Sequence, residues 1–235
     1  MKHKNALTLI LAGLVSTWPL APGKAQTEQK PKLQMPEPGV PQIMTLEGKY
    51  VRAAYNNEGY VILGYQVANH SIGQEWMLLE VGATVREGVP SYTLTRDTVS
   101  LSTPDGNTIA LASLSEYRKA NLSALEARTR VQRDSINYFP PSATDACRIG
   151  FFADLSTRAM AWDVVELNYQ MACLGRLFFH VPGGISYGQH WLNVQFKDSL
   201  VRVPFRILTE EEEEELSKNF KDIRKQVEEA FKKKS

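Results

Sequence analysis

Short runs in which apolar and polar residues alternate recur along the middle of this chain, and they restrict the fold more than any other feature. In the run WMLLEVGATV every second residue from Met77 to Val85 is apolar or small, and YVILGYQVAN alternates in the same way from Val61 to Val67. Such alternation is typical of a half-buried β-strand. About ten short strands of this kind fit before residue 208, which predicts a mainly β protein.

Turn-forming residues separate these runs, as in NNEG at 56–59 and PDGN at 104–107. Tight turns join neighbouring antiparallel strands, so we expect residues 46–208 to form an antiparallel, immunoglobulin-like β-sandwich. The order of Cys147 and Trp162 resembles that of an antibody domain, but only about two strands fit before the second cysteine. The likeness is therefore one of architecture and implies no binding site.

One segment inside the predicted β domain has the pattern of a helix or a helical pair, at residues 113–133. Ser113 is followed three residues later by Glu116, which forms a capping box, and good helix formers follow. Between residues 116 and 133, five basic side chains accompany two acidic ones. We expect this helical insertion to present a basic, solvated face.

The N-terminus has the order of a secretory signal peptide at residues 1–25. Lys2 and Lys4 precede an apolar run, and small residues lead to a cleavage position after Ala25. The apolar run is about half the length that spans a bilayer, so we expect no stable membrane anchor after its removal. Residues 26–45 contain four prolines and are interpreted as an extended tether. The expected location is periplasmic or secreted.

The chain contains two cysteines, Cys147 and Cys173, and their separation excludes a CxxC redox pair. Two cysteines alone cannot complete a structural zinc site. In an oxidising compartment they are most simply one disulfide, which would stabilise the fold by about 3 to 4 kcal/mol.

Charge argues against nucleic acid as a partner. Removal of residues 1–25 takes away three lysines, so 24 basic residues face 26 acidic ones and the formal charge is −2. This near-neutral balance lacks the basic surface of a nucleic-acid-binding protein. The histidines show no metal-binding spacing, so we expect neither a metal site nor a cofactor.

The stretch Gly184-Ile185-Ser186-Tyr187-Gly188 matches the G-x-S-x-G pattern of serine hydrolases. That chemistry needs the serine on a turn from strand to helix, with an acid and a histidine later in the chain. Here a strand-like run follows at once, and His190 comes before any candidate acid such as Asp198. We interpret the stretch as a glycine-rich loop and assign no catalytic residue; a secreted serine hydrolase remains the alternative hypothesis.

Residues 209–235 predict an amphipathic C-terminal helix. Thr209 is a good N-cap, six glutamates follow, and three lysines precede the last residue, which complements the helix dipole. We define the apolar seam as the five residues that form one stripe of this helix and are the candidate partner-binding residues: Leu216, Phe220, Ile223, Val227 and Phe231. Such a seam packs either on its own domain or against another chain, through a protein partner or self-association.

Taken together, these patterns predict a non-catalytic exported protein that serves as a binding or envelope-assembly module.

Overall fold

The computed structural model describes residues 43–132, 135–153 and 159–219. The predicted signal peptide at 1–25 lies outside the described residues, as does the predicted tether up to residue 42. The first strand begins at Ile43, so the last three residues of the predicted tether belong to the β domain.

Twelve strands and several short helices occur in the described part of the chain. In chain order the strands are β1 Ile43–Gly48, β2 Val51–Tyr55, β3 Gly59–Gly64, β4 Trp76–Val85, β5 Tyr92–Thr95, β6 Val99–Ser102, β7 Thr108–Ala110, β8 Asp145–Ile149, β9 Val164–Leu167, β10 Met171–His180, β11 Gly188–Gln195 and β12 Leu200–Ile207. The helices are α1 Gln66–Asn69, α2 Leu114–Lys119, α3 Ser123–Arg128 and α4, which begins at residue 210 and is described to residue 219, with a 3-10 turn at Arg96–Thr98. None of the described helices has the length and apolar character needed to span a bilayer.

The strands form three open sheets. The large sheet has the order β1-β2-β3-β4-β10-β8, the second sheet has the order β12-β11-β6-β7, and β5 pairs with β9. Antiparallel pairing dominates, which confirms the predicted mainly β, antiparallel fold, but β8 and β10 run parallel. The immunoglobulin-like arrangement is not confirmed. Four successive strands form a meander within the large sheet, whereas immunoglobulin domains connect their strands as Greek keys across two sheets.

One hydrophobic core receives side chains from both larger sheets. Leu63, Leu79 and Phe179 of the large sheet are fully buried. Leu192 and Phe205 of the second sheet are at most 1 % exposed. All five belong to a single buried cluster. Burial of each such side chain stabilises the folded state by roughly 1.5 to 3 kcal/mol. Burial of this core is therefore the main contribution to the stability of the β domain.

The predicted strand WMLLEVGATV is confirmed as β4, but it is buried on both faces and not on one. The segment 136–139 covers its outer face. A Cβ atom added to Gly82 would lie only 2.8 Å from the ring of Phe139, and one added to Gly64 would lie 2.9 Å from the side chain of Ile136. Glycines in β3 and β4 therefore allow the segment to approach the sheet closely.

The predicted strand YVILGYQVAN ends earlier than its alternation indicates. β3 ends at Gly64, and Gln66–Asn69 form the helical turn α1. Tyr65 and Val67 are nevertheless buried in the core, with Tyr65 in ring contact with Phe205 at a centroid distance of 5.3 Å. Alternating burial thus continues although the backbone is no longer a strand.

The helical insertion is observed as α2 and α3. The backbone N–H of Glu116 donates to Ser113 Oγ at 3.1 Å, and the Ser113 N–H donates to Glu116 Oε2 at 2.8 Å, so the predicted capping box is present. The ring of Tyr117 contacts those of Phe152 and Phe178, each at a centroid distance of 4.9 Å. These contacts pack α2 against the outer face of β10.

A disulfide joins the two parallel strands. Cys147 of β8 and Cys173 of β10 are register partners with Cα atoms 4.1 Å apart, and their sulfur atoms are bonded. Each cysteine is the third residue of its strand. Because β8 is the edge strand of the large sheet, the bond fixes this edge to β10.

Replacement of both cysteines by serine is expected to lower the free energy of unfolding by about 3 kcal/mol, because the unfolded chain is no longer constrained. Urea unfolding under non-reducing conditions measures this change. Ala146→Ser, at an exposed neighbouring position, adds a hydroxyl without breaking the bond and should leave the midpoint nearly unchanged. Two reactive thiols in the unfolded, unreduced protein would contradict the disulfide.

Candidate functional site

The stretch that matches the hydrolase pattern lies in the loop between β10 and β11, where Ser186 is exposed. Gly183 and Gly184 have φ angles of 81° and 89°, which an L side chain rarely adopts. The loop leads from one strand into another and does not form the turn from strand to helix that places a nucleophilic serine.

His190 is buried in β11 and does not contact Ser186. Its ring stacks on that of Phe205 at a centroid distance of 5.3 Å, and its Nδ1 lies 3.0 Å from the carbonyl oxygen of Gly188. Burial lowers the pKa of His190, because the charged imidazolium would lose its hydration. This histidine therefore packs in the core as a neutral ring near pH 7.

The other two described histidines lie near carboxylates at separate places on the domain. His70 Nε2 is 3.5 Å from Glu213 Oε2, and His180 Nε2 is 3.7 Å from Glu75 Oε2. Within the described ranges, histidines, cysteines and acidic residues do not form a group of three that could hold a metal ion.

The start of α4 is fixed by polar contacts, and its predicted N-cap is observed. The N–H of Glu212 donates to Thr209 Oγ1 at 3.3 Å, and the Thr209 N–H donates to Glu212 Oε2 at 3.1 Å. The side chain of Arg206, in β12, donates to Glu212 Oε1 at 2.6 Å. The first turn of α4 is thus bound directly to the last strand of the β domain.

Glu213 forms a second attachment of α4 to the domain, because its carboxylate contacts residues from the first third of the chain. Its carboxylate is 2.8 Å from Lys49 Nζ and accepts a hydrogen bond from Asn69 Nδ2 at 3.3 Å. Asn69 in turn accepts a hydrogen bond from the N–H of Leu208 at 2.7 Å, just before the helix. We call this group, Lys49, Asn69, His70 and Glu213, the helix anchor.

The charges of the helix anchor shift the pKa of Glu213. Burial raises it, but the hydrogen bond and charge of Lys49 and the proximity of His70 lower it, and the net pKa lies below its ordinary value of 4.5. Because the ionised form is favoured in the folded protein, this contact stabilises the fold above pH 4.5 and is lost as the pH falls through the lowered pKa.

Of the apolar seam, only Leu216 belongs to the described residues, and its side chain is half-buried. The remaining predicted partner-binding residues, Phe220, Ile223, Val227 and Phe231, lie outside the described residues. The first residue of the seam therefore lies three positions after Glu213 of the helix anchor.

A cavity of about 560 Å³ lies on the outer side of β4, β10 and β8. It is lined by Leu174, Arg176 and Phe178 of β10, by Glu126 of α3 and by residues 135–137. This volume is in the range of sites that bind small molecules, which is about 300 to 1,000 Å³. We call it the outer cavity.

Two arginines of the outer cavity lack a carboxylate partner among the described residues. Arg176 is half-buried and stands opposite Glu80 in the β4–β10 register, but no hydrogen bond or ion pair joins the two side chains. Arg148 donates to the carbonyl oxygens of Phe152 at 2.7 Å and Met160 at 2.9 Å. Neutral carbonyls thus hold this guanidinium in place, and no carboxylate among the described residues pairs with it.

Glu126, on the α3 side of the outer cavity, accepts a hydrogen bond from another side chain. The hydroxyl of Tyr117 lies 2.6 Å from Glu126 Oε1 and 3.0 Å from the carbonyl oxygen of Ala153. This contact joins α2, α3 and the segment that follows β8. The lining of the outer cavity thus combines two arginines, two glutamates and an apolar surface.

Sequence reasoning did not identify the outer cavity or the helix anchor. Arg176 gives a weak signal, since it interrupts the apolar run of β10, but its position over a cavity depends on the packing of α3 and residues 135–137. Lys49 and Glu213 are separated by 164 positions, and nothing local in either segment indicates that they meet.

No model of a known protein family, no curated protein and no solved structure matches this chain. Function is therefore inferred from the chain's own geometry, for which the helix anchor and the outer cavity are the two candidate sites.

Glu213→Gln is expected to weaken the start of α4 by about 0.5 to 1 kcal/mol, the range of a partly exposed ion pair. Hydrogen exchange of the amides at 210–219 measures this as faster exchange. The matched control is Glu214→Gln, because Glu214 is exposed and contacts only Lys218, at 3.8 Å, within the described residues. Equal protection in both variants would contradict the role of the helix anchor.

The lowered pKa of Glu213 predicts a pH dependence of the same amides. Between pH 7 and pH 3, after correction for intrinsic exchange, the wild-type protein should lose more protection at 210–219 than Glu213→Gln. The variant has no carboxyl to protonate at this position. A parallel loss in both proteins would assign the effect to other acidic groups.

Proposed function

We propose that this protein is a non-catalytic exported β domain that acts as an assembly module through its C-terminal helix. The observation that carries the proposal is the helix anchor, which attaches the first turn of α4 to the domain through charged and polar groups. Polar attachment at the base sets the direction in which the helix leaves the domain. In this proposal the apolar seam packs on a second surface, supplied by another chain.

The core of the β domain supports this proposal because it is filled without the helix. The inner faces of the two larger sheets are buried against each other, and segments 136–139 and 114–128 cover much of the outer face of the large sheet. Five seam residues would contribute roughly 1.5 to 3 kcal/mol each on full burial. An uncovered helix of this length is marginal in water, so a second surface is needed.

The proposed location is the periplasm or the exterior of the cell. The predicted signal peptide at residues 1–25 supports export, and the bond between Cys147 and Cys173 is compatible with an oxidising compartment. In this proposal the Pro-rich segment separates the domain from its N-terminus, and the two larger sheets pack on each other as the two layers of a sandwich. The partner is a protein or a second copy of the chain.

Substitution of two seam residues tests the proposal. The double variant Ile223→Gln, Val227→Gln should lose its oligomeric mass, or its co-migration with envelope proteins, while the melting temperature stays within about 2 °C. Size-exclusion chromatography with light scattering distinguishes self-association of the purified chain from capture of a partner.

The matched control is Lys225→Gln, Glu229→Gln, which changes two residues of the same predicted helix outside the seam and should assemble normally. A large fall in melting temperature of the seam variant with no change in assembled mass would overturn the proposal. That result would mean that the seam packs on its own domain.

A further inference from the structure

The outer cavity is separate from the helix anchor and has a chemistry of its own. Its floor is the outer face of β10 and β4, and its walls come from α3 and residues 135–137. We propose that it binds a partly apolar organic molecule with one carboxylate group, and that Arg176 holds this carboxylate.

The charge of Arg176 is the first argument. Arg176 is a half-buried residue, and its guanidinium has no hydrogen bond or ion pair to another side chain in the described ranges. A guanidinium and a carboxylate form two parallel charge-assisted hydrogen bonds, which makes a carboxylate the best-matched partner for this side chain. Arg148, which two carbonyls hold in place, adds a second positive charge to the same cavity.

The apolar wall is the second argument. Leu174 is 37 % exposed although β10 is paired on both sides, with β4 and with the edge strand β8. Together with Ile136 and Phe152 it gives the cavity a hydrophobic side next to the arginines. A ligand with an aliphatic or aromatic body would bury this surface, at about 25 cal/mol for each Å² removed from water.

The acidic residues limit the ligand to a single negative charge. Glu126 is hydrogen-bonded to Tyr117, and Glu80, which lies opposite Arg176, has a contact of its own. Their carboxylates would repel further anionic groups, which disfavours molecules with several phosphates. The same charges orient a monocarboxylate with its acid group toward the arginines.

The disulfide sets the position of this site. Arg148 follows Cys147 and Leu174 follows Cys173, and the two residues are register partners. The bond therefore holds the edge strand that carries Arg148 at a fixed distance from the β10 residues of the cavity.

Fluorescence of 8-anilinonaphthalene-1-sulfonate tests the proposal with the full chain. This dye has apolar rings and one sulfonate, which stands in for the carboxylate. We expect saturable binding of one dye per chain, displacement by octanoate, and no displacement by octylammonium, which has the same chain length and the opposite charge.

Arg176→Gln should weaken dye and octanoate binding about tenfold or more, the loss expected for one hydrogen bond to a charged group. Arg176→Lys keeps the charge and should retain part of the affinity. Leu174→Glu, at a partly exposed position, should abolish binding by adding a negative charge to the wall. The matched control is Arg118→Gln, on the exposed surface of α2, which should bind like the wild-type protein.

Circular dichroism and thermal melting establish that each variant is folded before binding is compared. Unchanged affinity in folded Arg176→Gln, equal displacement by octylammonium, or the absence of saturable dye binding to the wild-type protein would each overturn the proposal. None of these measurements depends on assembly through the C-terminal helix, so the two proposals succeed or fail separately.

Discussion

The pairing of β10 with its two neighbours is the interaction on which the rest of the structure depends. β10 runs antiparallel to β4 on one side and parallel to β8 on the other, where the disulfide adds a covalent link. Leu177 and Phe179 enter the core, whereas Arg176 and Phe178 line the outer cavity. Because side chains alternate between the faces of a strand, a shift of one residue in this register would exchange the two sets. The register of one strand therefore positions both the core and the candidate ligand site.

The large sheet differs from a sheet that exposes one face to water, since two separate elements cover its outer side. α2 packs over Phe178 through Tyr117, and segment 136–139 lies close to Gly64 and Gly82. Between these covers the sheet carries the charged side chain of Arg176, which would be costly to bury under an apolar segment. The outer cavity therefore lies where the strands present charge, and the covers lie where they present glycine or apolar side chains.

The run of six glutamates at the start of α4 has two distinct roles. Glu212 and Glu213 contact Arg206 and Lys49, while the other glutamates of the run are exposed. The glutamates of the first turn are favoured by the helix dipole, but only Glu212 and Glu213 attach the helix to the domain. The apolar seam begins one turn later with Leu216, so the attachment of the helix and its proposed assembly surface are carried by neighbouring parts of the same segment.

The sequence by itself determined the elements whose causes are local. Alternation identified β4, the capping box at Ser113 identified α2, and Thr209 marked the start of α4. It also supported pairing of the two cysteines through the predicted compartment. Only the tertiary structure decided that β8 runs parallel to β10, that β4 is buried on both faces and that the outer cavity and the helix anchor exist. Each of these depends on residues far apart in the chain, as with Lys49 and Glu213, and a local pattern carries no information on which distant segments will pack together.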